Sequence, residues 1–113
     1  MFDNSYHQTL DQIHYLYSIP YKYYQDYGIR KYGAYGISVF YVAQRTAKIL
    51  KKNPNLVNLI VCHLGSGASV TAVKCGKSYD TSMGISPLTG VTMGTRSGDF
   101  DPAALQRLMH KYR

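Results

Sequence analysis

At 113 residues the chain is one domain at most, long enough to bury a core but with little stability to spare. Thirteen Lys and Arg face six Asp and no Glu, giving a formal net charge of +7, and twelve Tyr occur with no Trp. No run reaches the roughly 20 apolar residues that span a bilayer and the N-terminus lacks the pattern of a secretion signal, so no membrane association and a cytoplasmic location are expected.

Residues 1 to 36 are polar and aromatic without a clean period. Ile13, Leu16, Tyr17 and Pro20 suggest one short helical turn that ends at the proline. From Ser38 a helix is predicted, because Val39, Val42, Ala43, Thr46, Ala47 and Leu50 recur on one face while Arg45, Lys48, Lys51 and Lys52 fall elsewhere. Asn53-Pro54-Asn55 stops it. Leu56 to Cys62 and Ala68 to Val73 read as two strands joined by a glycine turn, and Lys74-Cys-Gly-Lys77 turns into a third strand at Ser78 to Thr81. A glycine-rich loop follows from Met83 to Gly98. Asp101-Pro102 then opens a last helix, Asp as N-cap and Pro at the first helical position, with Leu105, Leu108, Met109 and Tyr112 as its stripe. The order implies an α/β layer with a β-hairpin sheet packed by helices.

Two clusters concentrate the chemistry: His63-Leu-Gly-Ser-Gly-Ala-Ser69 and Met93-Gly-Thr-Arg-Ser-Gly-Asp-Phe-Asp-Pro102. Glycines spaced like Gly65 and Gly67 let a docking group approach backbone N–H groups, which suits phosphate oxygens, and Arg96 offers a planar cation for the same charge. His63, where the first strand meets this turn, is open to a structural or a phosphate-donating role. Gly76-Lys77-Ser78 looks like the end of a Walker A loop, but Thr71 stands where that loop needs its first glycine. A dinucleotide fingerprint fails too, since Val70 occupies the third glycine position. The four histidines and two cysteines show no metal-binding spacing, and Cys62 and Cys75 are expected to be reduced. Net charge and tyrosines together suit either a nucleic acid or an anionic metabolite such as a nucleotide, and the tyrosine-rich segment from Tyr21 to Gly36 is more in keeping with packed rings than with an RNA-stacking surface.

Six segments in register, Phe2 to Thr9, Leu16 to Tyr21, Tyr27 to Gly33, His63 to Lys74, Gly76 to Met83 and Met93 to Pro102, resemble the acetate kinase family over nearly the whole chain. The resemblance implies part of an actin/hexokinase-like (ribonuclease H-like) fold. It also implies transfer of the γ-phosphoryl group of ATP to acetate, or to another short carboxylate, with Mg2+, usually by a homodimer. Only a middle slice of the family is matched, running from the end of its first domain into the start of its second, without the N-terminal phosphate loop and the C-terminal adenosine motif. The chain is therefore expected to be inactive or very weak by itself, with pairing to a full-length acetate kinase as the alternative role.

Carried over by position, Asp3 matches the family's active-site aspartate, and His63, Leu64, Gly65, Ser66 and Gly67 match its ATP-phosphate turn. Arg96 matches the arginine that stabilises the transition state. Where the family has Phe-His-Gly-Thr-Ser-His this chain has Ala34-Tyr-Gly-Ile-Ser-Val39, so Tyr35 and Val39 replace two histidines. A phenol donates one hydrogen bond but supplies no cation. Ser66 stands where the turn usually carries Asn.

Overall fold

The computed structural model describes residues 2–112. Four α-helices, α1 (Gln12–Tyr15), α2 (Lys22–Tyr27), α3 (Gly36–Ile49) and α4 (Pro102–Lys111), accompany three strands, β1 (Leu59–Leu64), β2 (Ala68–Lys74) and β3 (Lys77–Thr81), with 3-10 turns at Ser5–Thr9 and Pro54–Leu56. The strands form one antiparallel sheet in the order β1-β2-β3, and α3 packs on it, in agreement with the predicted α/β hairpin sheet.

Local chemistry accounts for the turns. Leu64 pairs with Ala68, leaving Gly65-Ser-Gly67 as the β1–β2 loop. Between β2 and β3, Cys75 and Gly76 both have positive φ, 49° and 71°, the requirement of a two-residue type I′ hairpin. Cys75 tolerates that conformation because its N–H is held by Asn58 Oδ1 at 2.9 Å. Cys62 and Cys75 are free thiols.

Boundaries shift where side chains compete with periodicity. β1 begins at Leu59 rather than Leu56, because Asn53 Oδ1 caps Asn55 N–H at 3.0 Å and Pro54–Leu56 winds into a 3-10 turn. Helix α3 starts at Gly36, ahead of the expected Ser38. The first helical turn ends at Tyr15, before rather than at Pro20. Helix α2 has no counterpart in the sequence reading, since none of its residues is buried and so no apolar stripe marks it; Gly28, in the left-handed region at φ 65°, is its stop signal.

Val39, Ala43 and Ala47 of α3 are buried, and Val39 and Ala43 meet Val61, Val73 and Tyr6 in the core. A fully buried Val contributes about 1.5–3 kcal/mol, so this small cluster is the main apolar support of the sheet. The tyrosine-rich segment packs against Tyr15: Arg30 lies 3.7 Å over the Tyr15 ring, and the Tyr15 and Tyr24 hydroxyls are 3.2 Å apart. Helix α4 forms with the predicted cap, Asp101 Oδ1 accepting from Ala103 N–H at 2.9 Å, but Leu105, Leu108, Met109 and Tyr112 remain exposed. Among the described residues no helix is long and apolar enough to cross a membrane.

His7 is fully buried and joins three segments. Its Nε2 lies 2.9 Å from the Ala34 carbonyl and its Nδ1 2.8 Å from Ser78 Oγ on β3. A carbonyl only accepts, so Nε2 carries the proton and Nδ1 accepts from the serine in the neutral ring. Burial lowers the His7 pKa below 6.5, overcoming the opposing effects of the Ala34 carbonyl and the Asp3 charge. Because the folded state disfavours the imidazolium, stability is full above the unfolded value near 6.5 and is lost as pH falls from there toward the lower folded value. Melting temperatures measured between pH 7.5 and 5.5 are expected to fall for the native chain and to fall less steeply for His7→Gln.

Candidate functional site

The chain places Asp3 against the start of α3. Its Oδ2 accepts from Tyr35 N–H and its backbone oxygen from Gly36 N–H, both at 2.7 Å. With these bonds made, Tyr35 sits in the left-handed region at φ 60°, a conformation that costs a non-glycine residue about 1–2 kcal/mol. Gly33, just before, has no room for a side chain: a Cβ there would stand 2.8 Å from both the His7 ring and Thr81 Cγ2. Gly84 O anchors the same strap by accepting from Tyr32 and Gly33 N–H at 3.1 and 3.0 Å.

So held, the Tyr35 ring stacks on His63, with centroids 4.2 Å apart and planes at 17°. His63 is oriented by Ser38 Oγ, 2.8 Å from its Nδ1. The Tyr35 hydroxyl continues to Arg96, whose Nη2 donates to it at 3.4 Å. Arg96 is fixed on its other arm, Nη1 donating to the Pro87 carbonyl at 2.7 Å, while its carbonyl accepts from Met93 N–H at 2.9 Å.

The two glycine clusters therefore meet. A Cβ on Gly67 would run into the Tyr35 hydroxyl and Arg96 Nη2, and one on Gly94 would approach the Ser66 carbonyl at 3.8 Å. Glycine at 67 permits this approach; its own φ makes no such demand. Gly65 N–H donates to the Gly67 carbonyl at 3.0 Å, so one backbone donor of the turn is already used inside it. Ser69 Oγ, on the strand face of His63 and directly across the ladder from it, is buried with no hydrogen-bond partner. Leu64 is exposed and directs nothing into the cluster.

Asp3, Tyr35, His63, Gly67 and Arg96 thus form one connected group from four separate parts of the chain. Val39 lies apart from it, fully buried in the core. Sequence reasoning missed His7, Ser38 and Pro87, which act by holding Ala34, His63 and Arg96; Pro87 contributes only a carbonyl, which leaves no side-chain signal. An open cleft of about 520 Å³ lies elsewhere, lined by Lys31, Ile60, Val70, Ala72, Asp80 and Val91 among others. Lys31 Nζ is paired with Asp80 Oδ1 at 2.8 Å, Asp99 Oδ1 accepts from Gly90 N–H at 3.0 Å, and none of the connected group lines the cleft.

Residues 1–113 match the acetokinase family model. The chain belongs to the acetokinase family. It is 58 % identical to the acetate kinase of Macrococcus caseolyticus over 111 residues, 98 % of this chain and 28 % of that protein. With the acetate kinase of Mesoplasma florum it shares 55 % identity over 105 residues, 93 % of this chain and 26 % of the relative. Among solved structures, Porphyromonas gingivalis acetate kinase superposes with a TM-score of 0.91 at 41 % identity, covering 98 % of this chain and 28 % of that one. A propionate kinase from Francisella tularensis gives 0.89 at 48 % identity, with 97 % and 28 % coverage. The α/β arrangement is thus that of acetate and propionate kinases, of the actin/hexokinase-like kind, and the chain spans little more than a quarter of the length of these relatives.

In this acetokinase-family chain Asp3 has a structural duty whatever its chemistry: its carboxylate holds the amide of Tyr35 just before α3 and its backbone oxygen takes the first helical amide, Gly36 N–H, so that a negative charge also lies near the positive end of the helix. Asp3→Ala removes the side-chain acceptor of Tyr35 N–H and is expected to destabilise the fold by about 1 kcal/mol, the usual net loss for one hydrogen bond. Asp3→Asn keeps an acceptor oxygen and is expected to stay close to the native chain, as measured by urea denaturation.

Proposed function

We propose that the connected group is part of a phosphoryl-transfer site that takes the γ-phosphoryl group of ATP to acetate or another short carboxylate. The observation that carries this reading is the convergence of Arg96 on Gly67, a fixed cation beside a turn position that has no side chain of its own. Arg96 meets the charge that spreads over the phosphoryl oxygens in the transition state. His63, with Nδ1 engaged by Ser38, has Nε2 for a phosphate oxygen, and the turn His63 to Gly67 cradles the ATP phosphates. Asp3 acts as acid/base or orienting group beside the transferring phosphoryl. The region corresponds to the end of the family's first domain and the start of its second.

The donor set fits Mg2+ only as an ion held mainly by phosphate and water. Among the described residues no group of three His, Cys, Asp or Glu side chains could hold a metal, and Asp3, with Oδ2 on the Tyr35 amide, is the one carboxylate of the group. Bound there with ATP, the ion would neutralise phosphate charge; the residues of this chain would align the same oxygens.

Tyr35 in place of histidine removes a transition-state donor that can be cationic, a change that commonly lowers the rate by about 10² to 10³. The 113-residue chain alone is therefore read as inactive or very slow. A coupled assay of ADP release with acetate, ATP and Mg2+ is expected to stay near background; turnover at the level of an intact acetate kinase overturns the inactivity.

A second reading has this chain pairing with a full-length acetate kinase. It is supported by the apolar side chains left uncovered, Ile60 and Leu64 at 69 % and 75 % exposure on the edge strand β1 and the Leu105–Leu108–Met109–Tyr112 stripe of α4. The relatives carry the matched region within chains several times longer, so a full-length chain is the occupant of matching kind. Light scattering of a mixture of this chain with the Macrococcus caseolyticus enzyme is expected to show a mixed complex; separate species at micromolar concentration rule it out.

A further inference from the structure

We propose that Tyr35 determines the anion affinity of this site by seating its own phenol beside Gly67 and Arg96, so that a polyphosphate binds only by displacing it. The inference rests on the reading of His63 to Gly67 and Arg96 as a phosphate site, and it concerns the residue at which this chain departs from its family.

The geometry is that of a side chain in a ligand's place. The Tyr35 hydroxyl sits against Gly67, one of the two glycines of the turn, and accepts from Nη2 of Arg96. Its ring also lies flat over His63, 4.2 Å between centroids, so it covers a second donor of the turn. Nothing in this seating is strong. The bond to Arg96 is long, 3.4 Å, and joins a neutral acceptor to the cation, whereas a phosphate oxygen in the same place would make a charge-assisted bond of about 2.7–2.9 Å. Arg96 does not need Tyr35 to keep its position, because Nη1 is anchored on Pro87 O at 2.7 Å. The backbone of Tyr35 is fixed by Asp3 and strained at φ 60°, so displacement is a rotation of the side chain and leaves the strap in place.

The exchange is selective for charge. A polyanion gains both Arg96 and the uncovered His63, while a monoanion such as acetate gains one bond and must still displace the ring. A site open only part of the time binds more weakly by that fraction, so a phenol seated nine-tenths of the time weakens apparent affinity about tenfold.

The test is a titration of the 113-residue chain with inorganic tripolyphosphate at constant ionic strength, followed by NMR. Tyr35→Gly, which removes the phenol and suits the left-handed backbone, is expected to bind about tenfold more tightly than the native chain. Tyr35→Phe, which keeps the ring but not the bond to Arg96, should fall between them and serves if the glycine variant fails to fold. In the native chain the His63 ring protons should move downfield on saturation as the stacked ring leaves. Equal or weaker binding by both variants, with native binding still abolished by Arg96→Ala, overturns the role of Tyr35 and leaves the phosphate site standing. Absence of binding at millimolar tripolyphosphate in the native chain and both variants overturns the phosphate site itself, and this proposal with it.

Discussion

A buried imidazole with a different partner on each ring nitrogen ties together parts of the chain that are 27 and 71 residues away from it in sequence. His7 holds the Ala34 carbonyl on one side and Ser78 of β3 on the other. The strap from Gly33 to Gly36 bends around this ring because glycine at 33 leaves no Cβ to collide with it. Once the strap is set, Asp3 reaches the first amides of α3 and Tyr35 is turned toward the sheet. Leaving either nitrogen of a buried imidazole without a partner costs on the order of 1–3 kcal/mol, so the three segments are held as a unit.

From that unit the site follows by successive contacts. Tyr35 stacks on His63, Ser38 from the first turn of α3 orients His63, and Arg96 closes the group from the far loop with its own anchor on Pro87. The group is half built from side chains and half from backbone: Gly67 matters as an absence of side chain, and Pro87 and Ala34 matter as carbonyls. An array of this kind, a fixed cation beside a glycine turn, is suited to an anion by position and charge.

The replacements in the family pattern have separate physical meanings. Val39 belongs to the apolar cluster with Tyr6, Val61 and Val73, so its effect is on the core, where an aliphatic side chain needs no hydrogen-bond partner. Tyr35 belongs to the connected group, its hydroxyl against Gly67 and Arg96. The same six-residue segment thus contributes to the core at one position and to the site at another, as expected for the first turn of a helix lying on a sheet. The stripe of α4 and the outer edge of β1 are the opposite case: they are well formed locally and carry apolar side chains that no described residue covers.

Much of the fold was legible from residue order, because turn chemistry and helix caps act over a few neighbours. Cys75-Gly76, Asp101-Pro102 and the period of α3 each appear where their local rules place them. Helix α2 and the true start of β1 were not legible, since α2 buries no stripe and Asn53 redirects the chain through a side-chain bond. Site residues carried by motifs, Asp3, His63, Gly67 and Arg96, could be named from sequence by resemblance. Their meeting, the insertion of the Tyr35 hydroxyl between Gly67 and Arg96, and the supporting duties of His7, Ser38 and Pro87 were decided only in three dimensions. The reason is that these contacts join segments up to 71 residues apart, and no local propensity encodes which buried donor will face which carbonyl.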